Sequence, residues 1–227
     1  MTGNAAYHVR VNTGVLAAAE KRVLVWMARR LPPWVNSDHL TLLALLSMIG
    51  AGGAFWAARY WPPALALVVA ALALNWFGDS LDGTVARVRR HERPRYGFYV
   101  DHVLDVVGIS LLIGGLSLSG YITPVIGLVV LSAYLLVSAE VFLATSVSGR
   151  FHMSFLSVGP TELRIILAVG ALAIYVKPQV TVLGVGPLLL FDVGGGAAAV
   201  GLTAALVTST IRTTRALYRA EPLPRPS

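Results

Sequence analysis

The chain has 227 residues, 56% of them hydrophobic and 13% charged, with a mean hydropathy of +0.71. A soluble domain carries about 25% charged residues, so the composition excludes an ordinary soluble protein and reads as one membrane domain over 1–227. The absence of cysteine excludes disulfides, thiolate catalysis and Cys-ligated zinc, and the net charge of +7 suits an anionic membrane surface, with no nucleic acid as partner.

Residues 1–13 are polar and lack the apolar core of a cleavable signal peptide. Over 14–31, Leu16, Val23, Leu24, Met27 and Leu31 share one side, and Lys21, Arg22, Arg29 and Arg30 flank them. That pattern predicts an amphipathic helix lying in the membrane interface. Pro32 and Pro33 end it. At 36–41 the chain reads Asn36-Ser37-Asp38-His39-Leu40-Thr41, where Ser37 or Asp38 can cap the next helix.

Six apolar segments follow, at about 40–60, 62–80, 100–119, 122–146, 161–177 and 185–209. Each is near the roughly 20 residues that cross a bilayer as a helix. The expected fold is therefore all-α, an integral membrane protein of six transmembrane helices with the N-terminal interfacial helix. The fifth segment is short, and the sixth contains Gly194-Gly195-Gly196. The tail at 220–227, with three prolines, reads as disordered.

Lys and Arg set the expected orientation. Arg10, Lys21, Arg22, Arg29 and Arg30 precede the first span. Arg87, Arg89, Arg90, Arg93 and Arg95 lie between the second and third. Arg150 follows the fourth, and Arg212, Arg215, Arg219 and Arg225 follow or end the sixth. The other side holds only Arg59 and Lys177. Both termini and the loop after the second span are thus expected in the cytoplasm, in a cell inner or plasma membrane.

That loop separates four carboxylates. Asp79 and Asp82 are three apart; Asp101 and Asp105 are four apart. Both spacings put side chains on one helix face. If the two pairs end helices joined by a loop at 88–96, all four can converge. Carboxylates so placed repel one another, and one or two hard divalent cations with oxygen ligands are the natural counter-charge. Carboxylates in membrane segments are costly and usually functional.

The stretch Asp79-x-x-Asp82-Gly83-x-x-Ala86-Arg87, then Gly97-x-x-x-Asp101-x-x-x-Asp105, closely resembles the motif of the CDP-alcohol phosphotransferases, integral membrane enzymes of phospholipid synthesis. Every fixed position is matched. The gap from Arg87 to Gly97 is nine residues where the family pattern has eight, a change that falls in the loop. Six spans with the motif between the second and third are also similar to the family's architecture.

The resemblance implies transfer of a substituted phosphate from a CDP-alcohol to an acceptor hydroxyl, with release of CMP. It implies Asp79, Asp82, Asp101 and Asp105 as ligands of Mg2+ or Mn2+, two ions in all, and Asp105 as the catalytic base. Gly83, Ala86, Arg87 and Gly97 would line the CDP site: Gly83 lets the nucleotide approach the backbone, and Arg87 offers a fork to the diphosphate. Asn36 and Thr41 resemble an Asn-x-x-Thr element that lies near the cytidine in many members, although here they are five apart rather than three. The family also implies a homodimer acting on a membrane lipid donor.

For the acceptor, Asp101-His102 and Gly159-Pro160-Thr161-Glu162 resemble elements of the aminoalcohol branch. His102, Glu140, Glu162 and Arg164 are the expected acceptor-binding set. Two carboxylates there would suit a positively charged amine; inositol phosphate or glycerol phosphate would require Arg150 and Arg164 to turn inward, and serine is a further acceptor used by relatives. Asp192 reads as structural or solvated. Two other classes stay open on residues alone, a divalent-metal transporter and a non-catalytic membrane protein. Release of CMP separates the enzyme from both.

Overall fold

A computed structural model describes residues 17–148 and 160–221. Seven helices account for most of them: α1 (Ala17–Arg30), α2 (Ser37–Ala58), α3 (Ala64–Arg89), α4 (Pro94–Leu118), α5 (Pro124–Ser148), α6 (Pro160–Val176) and α7 (Leu190–Ala220). A hairpin of β1 (Gln179–Val182) and β2 (Val185–Leu189) joins α6 to α7. Five helices are long and apolar enough to cross a membrane: α2, α3, α4, α5 and α7. Apolar α6, with 17 residues, reaches about 25 Å at 1.5 Å per residue, short of the roughly 30 Å hydrocarbon core.

The centre of the bundle is α2 packed against both α3 and α4, with α6 resting on α3 and α5 bridging α4 and α7. Its core holds Phe55, Leu65, Val68, Leu72, Leu112 and Leu116, each at most 2% exposed. Outer helices carry apolar side chains into the surroundings, among them Leu128, Leu136, Leu143 and Val200, as lipid-facing helices do. Inside the bundle, small residues let backbones touch. Gly78 on α3 lies so close to α2 that a Cβ there would meet Leu40 O at 2.6 Å and Ala44 N at 2.9 Å.

Several expected boundaries move. The motif does not leave the helix at residue 80: α3 continues to Arg89 and ends on Arg90 in the left-handed region, whose N–H returns to the Ala86 and Arg87 carbonyls. The connection to α4 is therefore only 90–93, not 88–96, and Pro94 sits at the start of α4 where its missing N–H costs nothing. The sixth apolar segment begins at 190, not 185. Residues 179–189 turn through Leu183 and Gly184, both with positive φ, and pair as strands instead of extending the helix. The expected tail begins later than 220, since Ala220 closes α7 and Glu221 follows it; 222–227, like 1–16, lies outside the described residues.

The first helix spans 17–30 and turns most of its apolar side inward. Leu24, Met27, Ala28 and Leu31 pack with Leu81 and Val85 of α3 and Leu40 of α2. Val23, expected on that face, is 50% exposed. Trp26 lies outward with the Arg30 guanidinium 3.9 Å above its ring.

Candidate active site

Three faces of α3 build the site. Its α2-facing side carries Asn75, Gly78 and Asp82, at i, i+3 and i+7. The carboxamide of Asn75 donates to Ala44 O at 2.9 Å, Gly78 closes the gap, and Asp82 accepts from the Thr41 hydroxyl at 2.8 Å. Leu81 and Val85 turn to α1. Asp79 points to a third direction, where α4 and α6 meet it.

There Asp79, Asp101 and Asp105 come together, with one carboxylate oxygen from each all within 4.8 Å of one another. Asp101 and Asp105 are one turn apart on α4, so the short 90–93 connection and the helix period bring them opposite Asp79. Asp82 lies outside this group of three. A three-residue step rotates a side chain by about 60° from its partner, enough to aim Asp82 at Thr41 while Asp79 faces the cluster. Arg164 of α6 joins from the side: its Nη2 donates to Asp79 Oδ2 at 2.7 Å, and its Nε donates to Asn75 Oδ1 at 2.7 Å.

A cavity of about 440 Å³ opens between the start of α2 and the end of α3, lined by Asn36, Asp38, Ala86, Arg89 and Arg93 among others. Asn36 caps α2, accepting from His39 N at 3.0 Å, so the helix cap is Asn36 itself rather than Ser37 or Asp38. Asp38 and Arg93 form an ion pair across the cavity. Arg89 donates to four backbone carbonyls of the α1–α2 linker: Leu31, Pro32, Pro33 and Val35. Its side chain thereby holds the linker, and so Asn36, against α3. Arg87 is exposed, donates to the Thr84 hydroxyl at 3.1 Å and lies over Gly83, where an added Cβ would meet its Nη1 at 3.3 Å. Gly97 faces open space.

Of the expected acceptor set, His102 borders the cluster, its Nδ1 4.0 Å from Asp101 Oδ2. Arg164 is at the cluster. His102 bonds the Phe98 carbonyl at 2.7 Å and packs between the rings of Phe98 and Phe142. Glu140 accepts from Ser209 at 2.8 Å and Thr213 at 3.4 Å, both on α7, which assigns it to the α5–α7 contact. The side chain of Glu162, with Arg150 and Gly159, lies outside the described residues. Asp192 accepts from the N–H and hydroxyl of Thr123, at 2.6 and 2.7 Å, and so ties the start of α7 to the residue before α5. Asn75 and Arg89 escaped the sequence reading. A lone Asn in an apolar run, four before Asp79, was the available signal for the first; Arg89 resembled the rest of a basic loop.

A family model described as CDP-alcohol phosphatidyltransferase matches residues 34–211. The chain belongs to that family. Among curated proteins, an archaetidylinositol phosphate synthase of Methanothermobacter thermautotrophicus is 33% identical over 102 residues, which is 45% of this chain and 49% of the relative. The chain thus spans about half the length of the curated relative it matches.

Proposed function

We propose that the protein transfers a substituted phosphate group from a CDP-alcohol to an acceptor hydroxyl and releases CMP, as a step of phospholipid synthesis. The observation that carries this reading is the meeting of Asp79 with Asp101 and Asp105, well inside α3 and α4 rather than at their ends, within the family-matched region. A transporter would carry its carboxylates on broken helices; α3 runs unbroken through the motif.

The donor set fits a hard cation. All the groups are carboxylates, and their oxygens are close enough to share one ion. Asp79, Asp101 and Asp105 would hold Mg2+ or Mn2+, with Asp82 completing a two-ion set. Bound there, the metal supplies Lewis-acid neutralisation of the diphosphate and acidifies the attacking hydroxyl. Asp105 takes the acceptor's proton as its oxygen bonds to the phosphorus next to the donor alcohol. The bond from that phosphorus to the CMP oxygen breaks, and CMP carries away the charge. Gly83, Ala86, Arg87 and Gly97, with Asn36 and Thr41, hold the CDP moiety. The cavity beside Asn36 and Ala86 supports that placement.

For the acceptor we favour a phosphorylated polyol. Arg164 is a cation turned to the cluster, whereas the Glu140 carboxylate, on which an amine acceptor would depend, is engaged by hydroxyls of α7. The matched relative is named for inositol phosphate chemistry, which agrees in class. The remaining assignments rest on charge and on the family: α6 as a sixth span, α1 at the interface with Trp26 and Arg30 outward, termini and site in the cytoplasm, and a homodimer. The test is a purified preparation given a CDP-linked lipid donor and a panel of inositol phosphate, glycerol phosphate, serine and aminoalcohols. CMP and lipid product with the phosphorylated acceptors is the expected result. Product with aminoalcohols alone would overturn the acceptor class, and no CMP with any of them would overturn the transferase reading.

A further inference from the structure

We propose that Asn75 is a positioning residue of the acidic cluster, acting through Arg164 on Asp79. Asn75 lies one turn before Asp79 on α3 and is 5% exposed. Its amide is committed in both directions. Nδ2 donates to Ala44 O at 2.9 Å, and Oδ1 accepts from Arg164 Nε at 2.7 Å. Because a guanidinium only donates and a carbonyl only accepts, the amide has a single consistent orientation. One side chain therefore ties α2, α3 and α6 together beside a candidate metal ligand.

The consequence lies in how Arg164 meets Asp79. The Nε and Nη2 edge of a guanidinium is the fork that closes on both oxygens of a carboxylate. Here that edge is split: Nε goes to Asn75 and Nη2 to Asp79. Asp79 is thus held by one hydrogen bond from that edge, with its orientation set and part of its charge offset, rather than locked in a bidentate pair. Without an acceptor at position 75 the fork is free to close on Asp79, and a cation must then displace a bidentate arginine before it can use that carboxylate. Asn75 keeps Arg164 close enough to orient Asp79 and keeps it from competing for the site.

This inference rests on the metal-site reading given above, and the experiment separates the two. Mn2+ binding to the detergent-solubilised full chain is measured by the loss of the free-ion EPR signal, with thermal unfolding recorded on each variant. Asn75→Leu removes the acceptor and is expected to weaken Mn2+ binding about tenfold; if it does not fold, the smaller Asn75→Ala makes the same test. Asn75→Asp keeps an oxygen for Arg164 Nε but sets a carboxylate against Ala44 O. It is expected to lower stability while Mn2+ affinity stays within about threefold of the parent. Adding Arg164→Gln to Asn75→Leu removes the competing fork and is expected to recover affinity. If Asn75 serves only to pack α2 against α3, affinity follows stability, Asn75→Asp is as poor as Asn75→Leu, and the double variant is no better; that pattern overturns the proposal. Parent binding that Asp101→Asn and Asp105→Asn leave unchanged would instead overturn the metal site itself. Parent binding lost in those two but unaltered in Asn75→Leu would overturn only the role of Asn75.

Discussion

Gly78 offers a measurable link between helix packing and the site. Its Gly78→Ala variant places a Cβ 2.6 Å from Leu40 O and 2.9 Å from Ala44 N. Both are backbone atoms of α2, so no side chain can rotate away. Restoring an ordinary contact of 3.4 Å requires about 0.8 Å of separation between α2 and α3. The two hydrogen bonds that flank Gly78, from Asn75 to Ala44 at 2.9 Å and from Thr41 to Asp82 at 2.8 Å, would stretch to about 3.6–3.7 Å, beyond useful hydrogen-bond length. Overpacking of this kind costs about 1–3 kcal/mol, and each lost bond adds about 0.5–1.5 kcal/mol. Gly53 and Gly114, on α2 and α4, have nothing within 4 Å of an added Cβ, so alanine there should be neutral or stabilising by up to about 1 kcal/mol. The assay is thermal unfolding of detergent-solubilised protein, with CMP release measured on the same samples. Gly78→Ala should lower Tm and activity while the two control variants do neither. Equal Tm values for all three would refute the close-packing account of this interface.

Gly83→Leu should block the CDP site sterically. Arg87→Ala should cost about 1.5–3 kcal/mol of charge-assisted contact to the diphosphate; CMP affinity unchanged in both variants would move the nucleotide site elsewhere. Arg89→Ala should destabilise the α1–α2 linker by about 1.5–3 kcal/mol, with Arg89→Lys a poor rescue because an ammonium cannot reproduce the fork to several carbonyls; limited proteolysis at the linker reads this, and unchanged protection would refute it. Glu140→Gln should leave the acceptor KM within about twofold, below roughly 0.5 kcal/mol, because its partners are Ser209 and Thr213 of α7. A tenfold rise would return Glu140 to the acceptor pocket.

The acidic cluster was legible because its chemistry is local. Asp101 and Asp105 are one helical turn apart, and a short connection brings Asp79 opposite them, so spacing alone predicts the meeting. Asp82 was harder: its spacing from Asp79 allows one face, but the 60° between them is resolved only by which neighbour stands beside each, here Thr41. The partners of the acceptor set were hidden for the same reason. A carboxylate within an apolar run must have a partner, yet the sequence does not say whether Glu140 finds it in a ligand or in the hydroxyls of α7. Hydropathy located the spans but read Val185 to Leu189 as more helix, since an apolar run is ambiguous between strand and helix until the turn at Leu183 and Gly184 is seen. Asn75 and Arg89 act across 31 and more than 50 residues of chain, respectively; a lone Asn in an apolar run can be noticed, but no local pattern names such distant partners.

The central claim is tested most directly by metal-dependent release of CMP. Purified protein with a CDP-linked lipid and a phosphorylated polyol should release CMP in step with lipid product, stop in excess EDTA, and recover when Mg2+ or Mn2+ is restored. Asp105→Asn should be inactive under the same conditions while still binding the donor. CMP release that continues undiminished in excess EDTA, or persists in the Asp105→Asn variant, would contradict the account.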